Sequence, residues 1–131
     1  MLLSRALSRR PAAPGILNRS LNSASDNIKS LGITLPAPGA PKANYDMTNL
    51  TTEGQMLYVS GHLPVRADGS LVVGRLGDLS VEEGYEAARL CGLNMLATID
   101  DRFGLDRVKR CTKIFGIVNS TLDFEEQVGD A

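Results

Sequence analysis

The sequence contains no tryptophan, only two cysteines, Cys91 and Cys111, and a single histidine, His62. Two cysteines are too few for a disulfide framework or for a four-ligand zinc site, and one histidine excludes a metal cluster built from imidazoles. Aromatic residues make up 5% of the chain, so no aromatic stacking platform is expected. No stretch approaches the roughly 18 uninterrupted apolar residues of a membrane-spanning helix. We therefore expect neither a metal site nor a transmembrane segment.

The size and the composition of the chain are those of one globular domain. It has 131 residues, of which 43% are hydrophobic and 22% are charged. Single domains usually contain about 100–150 residues, and this apolar content is too high for a wholly disordered chain. We therefore expect one soluble domain without a second domain beside it.

The charge is divided unevenly along the chain. Residues 1–25 contain no acidic side chain and four arginines, whereas the other 10 basic side chains and all 15 acidic ones lie in residues 26–131. The first 25 residues are rich in serine, alanine and leucine, and Leu3 and Leu7 are one helical turn apart. This composition is typical of a mitochondrial transit peptide and predicts the mitochondrial matrix, with the cytoplasm as the alternative. The other interpretations are a basic tail without a targeting function and an arm that binds nucleic acid.

The remaining chain divides into a connector and a folded part. Prolines and glycine between Pro36 and Pro41 forbid a regular element, so residues 26–43 are predicted to be an extended connector, with a short helix or turn at Asn27 to Gly32. Residues 44–131 are predicted to form the domain. Its acidic excess repels phosphate backbones, so nucleic acid is not the expected partner.

The clearest predicted element is a helix from Val81 to Phe103. Ser80 and Glu83 have the spacing of a capping box, and Gly104 supplies the residue that ends a helix. Apolar residues recur every three or four positions and define one buried face: Ala88, Cys91, Met95, Ile99 and Phe103. The acidic pair at the start is therefore explained by capping and need not be catalytic.

Strands are predicted both before and after this helix. Residues 55–60 form a short apolar run of strand formers, and an Asp-Gly turn at Asp68 leads back through residues 71–73, which predicts a hairpin. After the helix, residues 108–119 alternate and become apolar on both sides, as expected of a covered strand. Cys111, at the start of that strand, and Cys91, on the helix, are predicted to be buried structural thiols. A further helix is predicted to begin near Asp123.

Several of these segments resemble a known family. The segment Leu57–Pro64, LYVSGHLP, resembles the YVSGQxP strand end of the Rid proteins, the reactive intermediate deaminases, which are also called the endoribonuclease L-PSP or chorismate-mutase-like family. Residues 79–91 resemble the family's long helix, residues 105–110 its LDRVVK connector, and Val118-Asn119 its next strand end. The similarity extends from about Asn44 to Glu126 and keeps the family's order and spacing.

The resemblance implies a fold and an activity. The expected fold is α/β (α+β), with a chorismate-mutase-like mixed sheet packed on a long helix. The family forms homotrimers whose ligand sites lie between subunits, and it hydrolyses small anionic imino and enamino acids to keto acids and ammonia without a metal or a bound cofactor. The family's second helix, its last strands, its carboxylate-binding arginine and its water-orienting glutamate would follow Ala131. The domain is therefore expected to be incomplete and the activity impaired.

Four residues are the candidate substrate-binding residues: Ser60, Gly61, His62 and Asn119. Ser60 and Gly61 match the family's strand end, where a glycine lets the backbone approach a ligand closely, and Asn119 matches its later asparagine. His62 stands where the family more often has glutamine and could carry a proton, but a polar residue at a strand end without a role is the favoured interpretation. No catalytic residue is assigned. A non-catalytic trimer-forming binding module and an RNA-directed role remain alternative functions.

Overall fold

A computed structural model describes residues 23–127 of the chain. The predicted transit peptide lies outside the described residues except for its last three positions. The described chain contains helix α1 (Ala24–Ser30), strands β1 (Thr48–Leu50) and β2 (Leu57–Val59), helix α2 (Val81–Phe103) and a 3-10 turn at Leu105–Arg107. A small antiparallel sheet with one long helix gives an α+β fold, which confirms the predicted class. Within residues 23–127, no helix is long and apolar enough to cross a membrane.

Helix α2 begins and ends where the sequence predicts. The Ser80 hydroxyl accepts a hydrogen bond from the amide of Glu83 at 3.2 Å, and the Glu83 carboxylate accepts one from the amide of Ser80 at 2.9 Å. Gly104 has a φ of 77°, and its amide donates to the carbonyl of Asp100. Local chemistry at both ends therefore determines the length of the helix.

The core lies at the carboxyl-terminal half of α2. The buried residues of the described chain are Met47, Ala97, Thr98, Ile99 and Leu105. The predicted apolar face is therefore wrong only at its start, because Ile99 is buried and Cys91, Met95 and Phe103 are half-buried whereas Ala88 is exposed. Helix α1 contacts the 3-10 turn, where the amide of Ser25 donates to the Asp106 carboxylate at 2.9 Å.

The predicted hairpin is wrong in its main pairing. β2 pairs with β1, with Asn49 opposite Tyr58, and β1 was not predicted. A reduced hairpin remains around the turn, where Val65 bridges Leu71 and the amide of Val72 donates to the carbonyl of Pro64 at 3.0 Å. Pro64 has no amide to donate and so cannot continue a ladder. The Asp-Gly turn itself is present, because Gly69 has a φ of 84° and its amide donates to the carbonyl of Arg66 at 2.9 Å.

The predicted strand at residues 108–119 is also wrong. The segment forms no ladder, and only its end is paired, where the amide of Leu76 donates to the carbonyl of Asn119 at 2.9 Å. Ile114, Phe115 and Ile117 are 73%, 78% and 87% exposed. A strand needs a neighbouring strand to bond its backbone, and no such neighbour lies along this segment among the described residues. The helix expected near residue 123 is likewise replaced by a turn.

Candidate functional site

The end of β2 is held against the residues before β1. The amide of Ser60 donates to the carbonyl of Met47 at 2.9 Å, and its hydroxyl donates to the carbonyl of Asp46 at 2.6 Å. Gly61, the next residue, is exposed, and a Cβ placed on it would have open space around it. The backbone corner at Gly61 is therefore accessible from solvent, and its role in binding stays a prediction.

His62 joins this corner to helix α2. Its Nδ1 lies 2.8 Å from the carbonyl oxygen of Ser60 and its Nε2 lies 2.8 Å from the Thr98 hydroxyl. Because a carbonyl oxygen only accepts, the geometry assigns a proton to Nδ1. The Thr98 hydroxyl also lies 3.1 Å from the carbonyl of Asn94, and it is the group that can donate to or accept from Nε2. Both ring nitrogens thus have partners within the chain, so His62 is positioned as a connection between strand and helix.

Asn94 makes a second connection between α2 and the chain that follows β2. Its Nδ2 donates to the carbonyl of Leu63 at 3.1 Å and to the carbonyl of Val65 at 3.0 Å. One side-chain amide therefore satisfies two backbone acceptors of a segment that lies outside the strands. Together with His62, it holds residues 60–65 against the helix.

A cleft of about 210 Å³ opens beside this corner. Its polar lining consists of Lys42, Tyr45, His62, Arg66 and Asn94, and the apolar part includes Met47, Leu63 and Val65. No carboxylate is among the lining residues. Lys42 and Arg66 have no carboxylate within 4 Å among residues 23–127. Arg66 instead donates from Nη1 to the Ser70 hydroxyl at 3.3 Å. The cleft therefore has a net positive lining and the size of a small metabolite.

The four predicted site residues do not all lie together. Gly61 and His62 line the cleft, and Ser60 supports it through the hydrogen bonds given above. Asn119 lies elsewhere, because its side chain donates to the carbonyl of Gly74 at 3.4 Å and it is not a lining residue of the cleft. A role for Asn119 in binding stays a prediction.

Sequence reasoning did not identify the cationic and amide groups of the cleft. Asn94 carried a signal, because it is a polar residue among the apolar positions of α2. Arg66 carried a weaker one, since it stands immediately before the Asp-Gly turn. Lys42 and Tyr45 lie in irregular chain beside the prolines, and no periodicity there indicates which way a side chain points.

The cysteines differ from each other in their surroundings. Cys91 is half-buried on α2, and burial raises the pKa of its thiol. Cys111 is exposed, so its prediction as a buried thiol is wrong. The segment that contains it has no neighbouring strand among the described residues, and none of them therefore covers the thiol. Residues 23–127 contain no group of three or more histidine, cysteine, aspartate or glutamate side chains that could hold a metal ion.

Comparison with known proteins finds similarity over part of the chain. No family model matches the sequence. The chain is 44% identical over 103 residues to Protein TCP17 of Trypanosoma cruzi, which covers 77% of this chain and 63% of that protein. Among solved structures, it is similar to a "putative endoribonuclease" from Shewanella oneidensis, with a TM-score of 0.58 and 33% identity over 66% of this chain and 56% of that one. A protein of unknown function from Agrobacterium tumefaciens is 37% identical, with a TM-score of 0.48.

The chain therefore spans under two thirds of the length of the curated relative and of the Shewanella protein. The likeness to the Shewanella structure supports the endoribonuclease L-PSP-like fold expected from the motifs at β2 and α2.

Proposed function

We propose that the chain is a Rid-type protein whose cleft at Gly61 binds small anionic imino or enamino acids. The motif LYVSGHLP, the capped long helix and the likeness to the Shewanella protein support this assignment. The observation that carries it is the cleft lining, in which Lys42 and Arg66 stand beside an exposed glycine and no carboxylate is present. A guanidinium can hold a substrate carboxylate by two parallel hydrogen bonds.

The reaction proposed for this cleft is imine hydrolysis. Water adds to the carbon of a protonated imine, and one of its protons moves from oxygen to nitrogen. The carbon–nitrogen bond then breaks to release ammonia, and the remaining hydroxyl proton passes to that ammonia, which leaves a keto acid and ammonium. The attacking water is normally aimed by an acceptor such as a carboxylate. Since no carboxylate lines the cleft among the described residues, we expect binding of the anion to be retained and hydrolysis by this chain to be weak.

Binding is tested with a stable product of the reaction. A small keto acid such as pyruvate is titrated into the full chain, and chemical shifts of residues 61–66 are followed. Arg66→Gln is expected to weaken binding about 10-fold or more, because a charge-assisted hydrogen bond contributes about 1.5–3 kcal/mol. Lys113→Gln removes the same charge from an exposed position outside the cleft and is expected to leave binding unchanged. Absence of binding, or equal loss in both variants, would contradict the proposal.

Catalysis is measured separately, as ammonia release from a freshly generated imino acid. Release above buffer that Arg66→Gln abolishes supports a deaminase. Keto acid binding without release supports the alternative of a non-catalytic binding module. We propose a homotrimer as the assembly, and sedimentation equilibrium of the full chain gives its mass.

An RNA-directed role is the second candidate. The description of the Shewanella structure as a "putative endoribonuclease" favours it, and Lys42 and Arg66 could contact phosphates as well as carboxylates. Retention of single-stranded RNA that falls steeply with salt and that is lost in Arg66→Gln would support this function over the first.

We also propose the mitochondrial matrix as the location of the protein, with the cytoplasm as the alternative. The proposal is based on the acid-free, arginine-containing composition of residues 1–25. Residues 1–25 fused to a fluorescent protein are expected to direct it to mitochondria, and Arg5→Gln with Arg9→Gln and Arg10→Gln is expected to leave the fusion in the cytoplasm.

A further inference from the structure

A second, larger concavity lies along the amino-terminal half of α2. It has a volume of about 780 Å³ and lies between the helix and the segment that follows the Asp-Gly turn. Its floor is apolar, and its rim carries three glutamates and one arginine, which gives it an acidic excess. The floor consists of Leu71, Val72, Val73, Leu79, Ala87 and Leu90, and the rim contains Glu82, Glu83, Glu86 and Arg66. We call it the acidic groove.

Two of its three glutamates are available to a partner. The carboxylate of Glu83 already accepts a hydrogen bond in the helix cap. Glu82 and Glu86 are four residues apart and so lie on one face of the helix. Glu82 has no basic group within 4 Å among residues 23–127, and Glu86 has only Arg89 at 3.8 Å, with both side chains about half exposed. An exposed pair at that distance contributes little, so the rim presents negative charge beside an open apolar surface.

The partner that fits this surface is cationic and has leucine-type side chains. We infer that the acidic groove is the docking site of this chain's own amino-terminal segment, residues 1–22. That segment has four arginines and no acidic residue, and Leu3 and Leu7 recur at helical spacing with Arg5 between them. The leucines of the segment would pack on the apolar floor, and its arginines would pair with Glu82 and Glu86 on the rim.

The segment is long enough to reach the groove. The described chain begins at Ser23, and the amide of Ser25 is bonded to Asp106 just beyond the end of α2. From there to Glu86 is about 20 residues of helix, or roughly 30 Å. Residues 11–22, in extended form, span up to about 40 Å, which leaves residues 1–10 free to lie along the groove. Cleavage of the segment would expose the groove. This inference goes beyond the proposed function and does not depend on it.

The absence of tryptophan from the sequence allows a direct test. Leu7→Trp in the full chain introduces a single fluorescent reporter into the segment. If the segment docks, the tryptophan emits at shorter wavelength and is quenched by acrylamide several-fold less than in the isolated peptide 1–22 with the same change. High salt is expected to reverse both effects, because it screens the arginine–glutamate attraction.

Paired substitutions identify the docking surface. Glu82→Gln with Glu86→Gln is expected to return the emission to that of the free peptide, whereas Glu125→Gln with Glu126→Gln, which neutralises two exposed carboxylates outside the groove, is expected to change nothing. Exchange of charges, Arg5→Glu and Arg9→Glu together with Glu82→Arg and Glu86→Arg, is expected to restore the shift. Circular dichroism confirms that each variant retains its helix.

Three outcomes would overturn the inference. Emission equal to that of the free peptide in the parent chain means that the segment does not dock. A shift that survives Glu82→Gln with Glu86→Gln means that it docks elsewhere. A shift that disappears on dilution means that the groove receives the segment of a second copy.

Discussion

The ring of His62 lies 2.8 Å through Nε2 from the hydroxyl of Thr98, which ties the end of β2 to the buried part of α2. Thr98 is 2% exposed, so this hydrogen bond lies at the edge of the core. It orients the backbone corner at Gly61 relative to the helix. The shape of the cleft therefore depends in part on a contact between residues 36 positions apart.

Removal of this hydroxyl is expected to destabilise the fold. Thr98→Val keeps the side-chain shape but leaves Nε2 of His62 without its partner, so we expect the free energy of unfolding to fall by about 1–2 kcal/mol. Urea denaturation followed by circular dichroism measures the change. Thr112→Val, at an exposed position, is expected to change stability by less than about 0.5 kcal/mol. Equal effects of the two variants would mean that the contact with His62 contributes nothing.

The geometry of the helix cap predicts which of two variants loses more stability. Ser80→Ala removes the acceptor for the Glu83 amide and is expected to cost about 1 kcal/mol. Glu83→Gln keeps an oxygen that can accept from the Ser80 amide and loses only the interaction of the charge with the helix dipole, so we expect a loss of about 0.5 kcal/mol. Thermal melts compare them, and a larger loss for Glu83→Gln would show that charge and not hydrogen bonding dominates the cap.

The two thiols are expected to react at different rates. The thiolate is the reactive form, and burial raises the pKa of Cys91 while Cys111 is exposed. A disulfide reagent at mildly alkaline pH is therefore expected to label Cys111 first. The single variants Cys91→Ser and Cys111→Ser show which thiol gives the fast phase of labelling and which gives the slow one. Faster labelling of Cys111→Ser than of Cys91→Ser would contradict the prediction.

The contact between α1 and the 3-10 turn is expected to be lost in acid. The hydrogen bond from the Ser25 amide is the main cause that holds the pKa of Asp106 below its usual value of 3.8, and Ser23 and Lys29 add smaller effects. A group whose pKa is lowered on folding stabilises the fold above its unfolded pKa, and this contribution disappears as the pH falls through the lower folded value. Protection of the Ser25 amide from hydrogen exchange, measured relative to the intrinsic exchange rate at each pH, should therefore fall across that range.

Asp106→Asn is the control for this titration. Asparagine keeps an oxygen that can accept from Ser25 but does not titrate. Protection of the Ser25 amide should then show no acid transition of this origin. If the transition persists in Asp106→Asn, another group controls the contact.

The unpaired segment after α2 is expected to limit solubility. Phe115 and Ile117 are exposed on a stretch of β-forming residues without a neighbouring strand, and such stretches pair with other chains. Ile117→Lys is expected to lower the rate of aggregation, measured by light scattering. Leu122→Lys introduces the same charge at a fully exposed leucine outside the segment, and it should have little effect. A similar reduction by both would indicate that net charge alone is responsible.

The same segment shows why part of the fold could not be predicted. Residues 108–119 have the composition of a strand, but composition expresses only a preference. Forming a strand also requires a neighbour with free backbone groups at the right register, and the described residues offer none. β1 was missed for the converse reason, since three residues with little apolar character become a strand because β2 lies beside them.

The candidate site divides in a similar way. Ser60, Gly61 and His62 could be proposed from a short motif at the end of an apolar run. Lys42 and Arg66 could not, because both lie on irregular segments, and the path of the segment that carries Arg66 is set by Asn94 and by the turn at Gly69. Asn119 was proposed because it follows a strand-like run. That run ends beside Gly74 and not beside the cleft, so Asn119 does not line the cleft.

The sequence alone determined helix α2, its two ends and the accessible backbone corner after β2, because capping, periodicity and glycine conformations depend on residues within a few positions of one another. The tertiary structure decided which strands pair, which thiol is covered and which cations line the cleft. Those features depend on contacts between residues far apart in the chain, and no local pattern encodes which surfaces will meet.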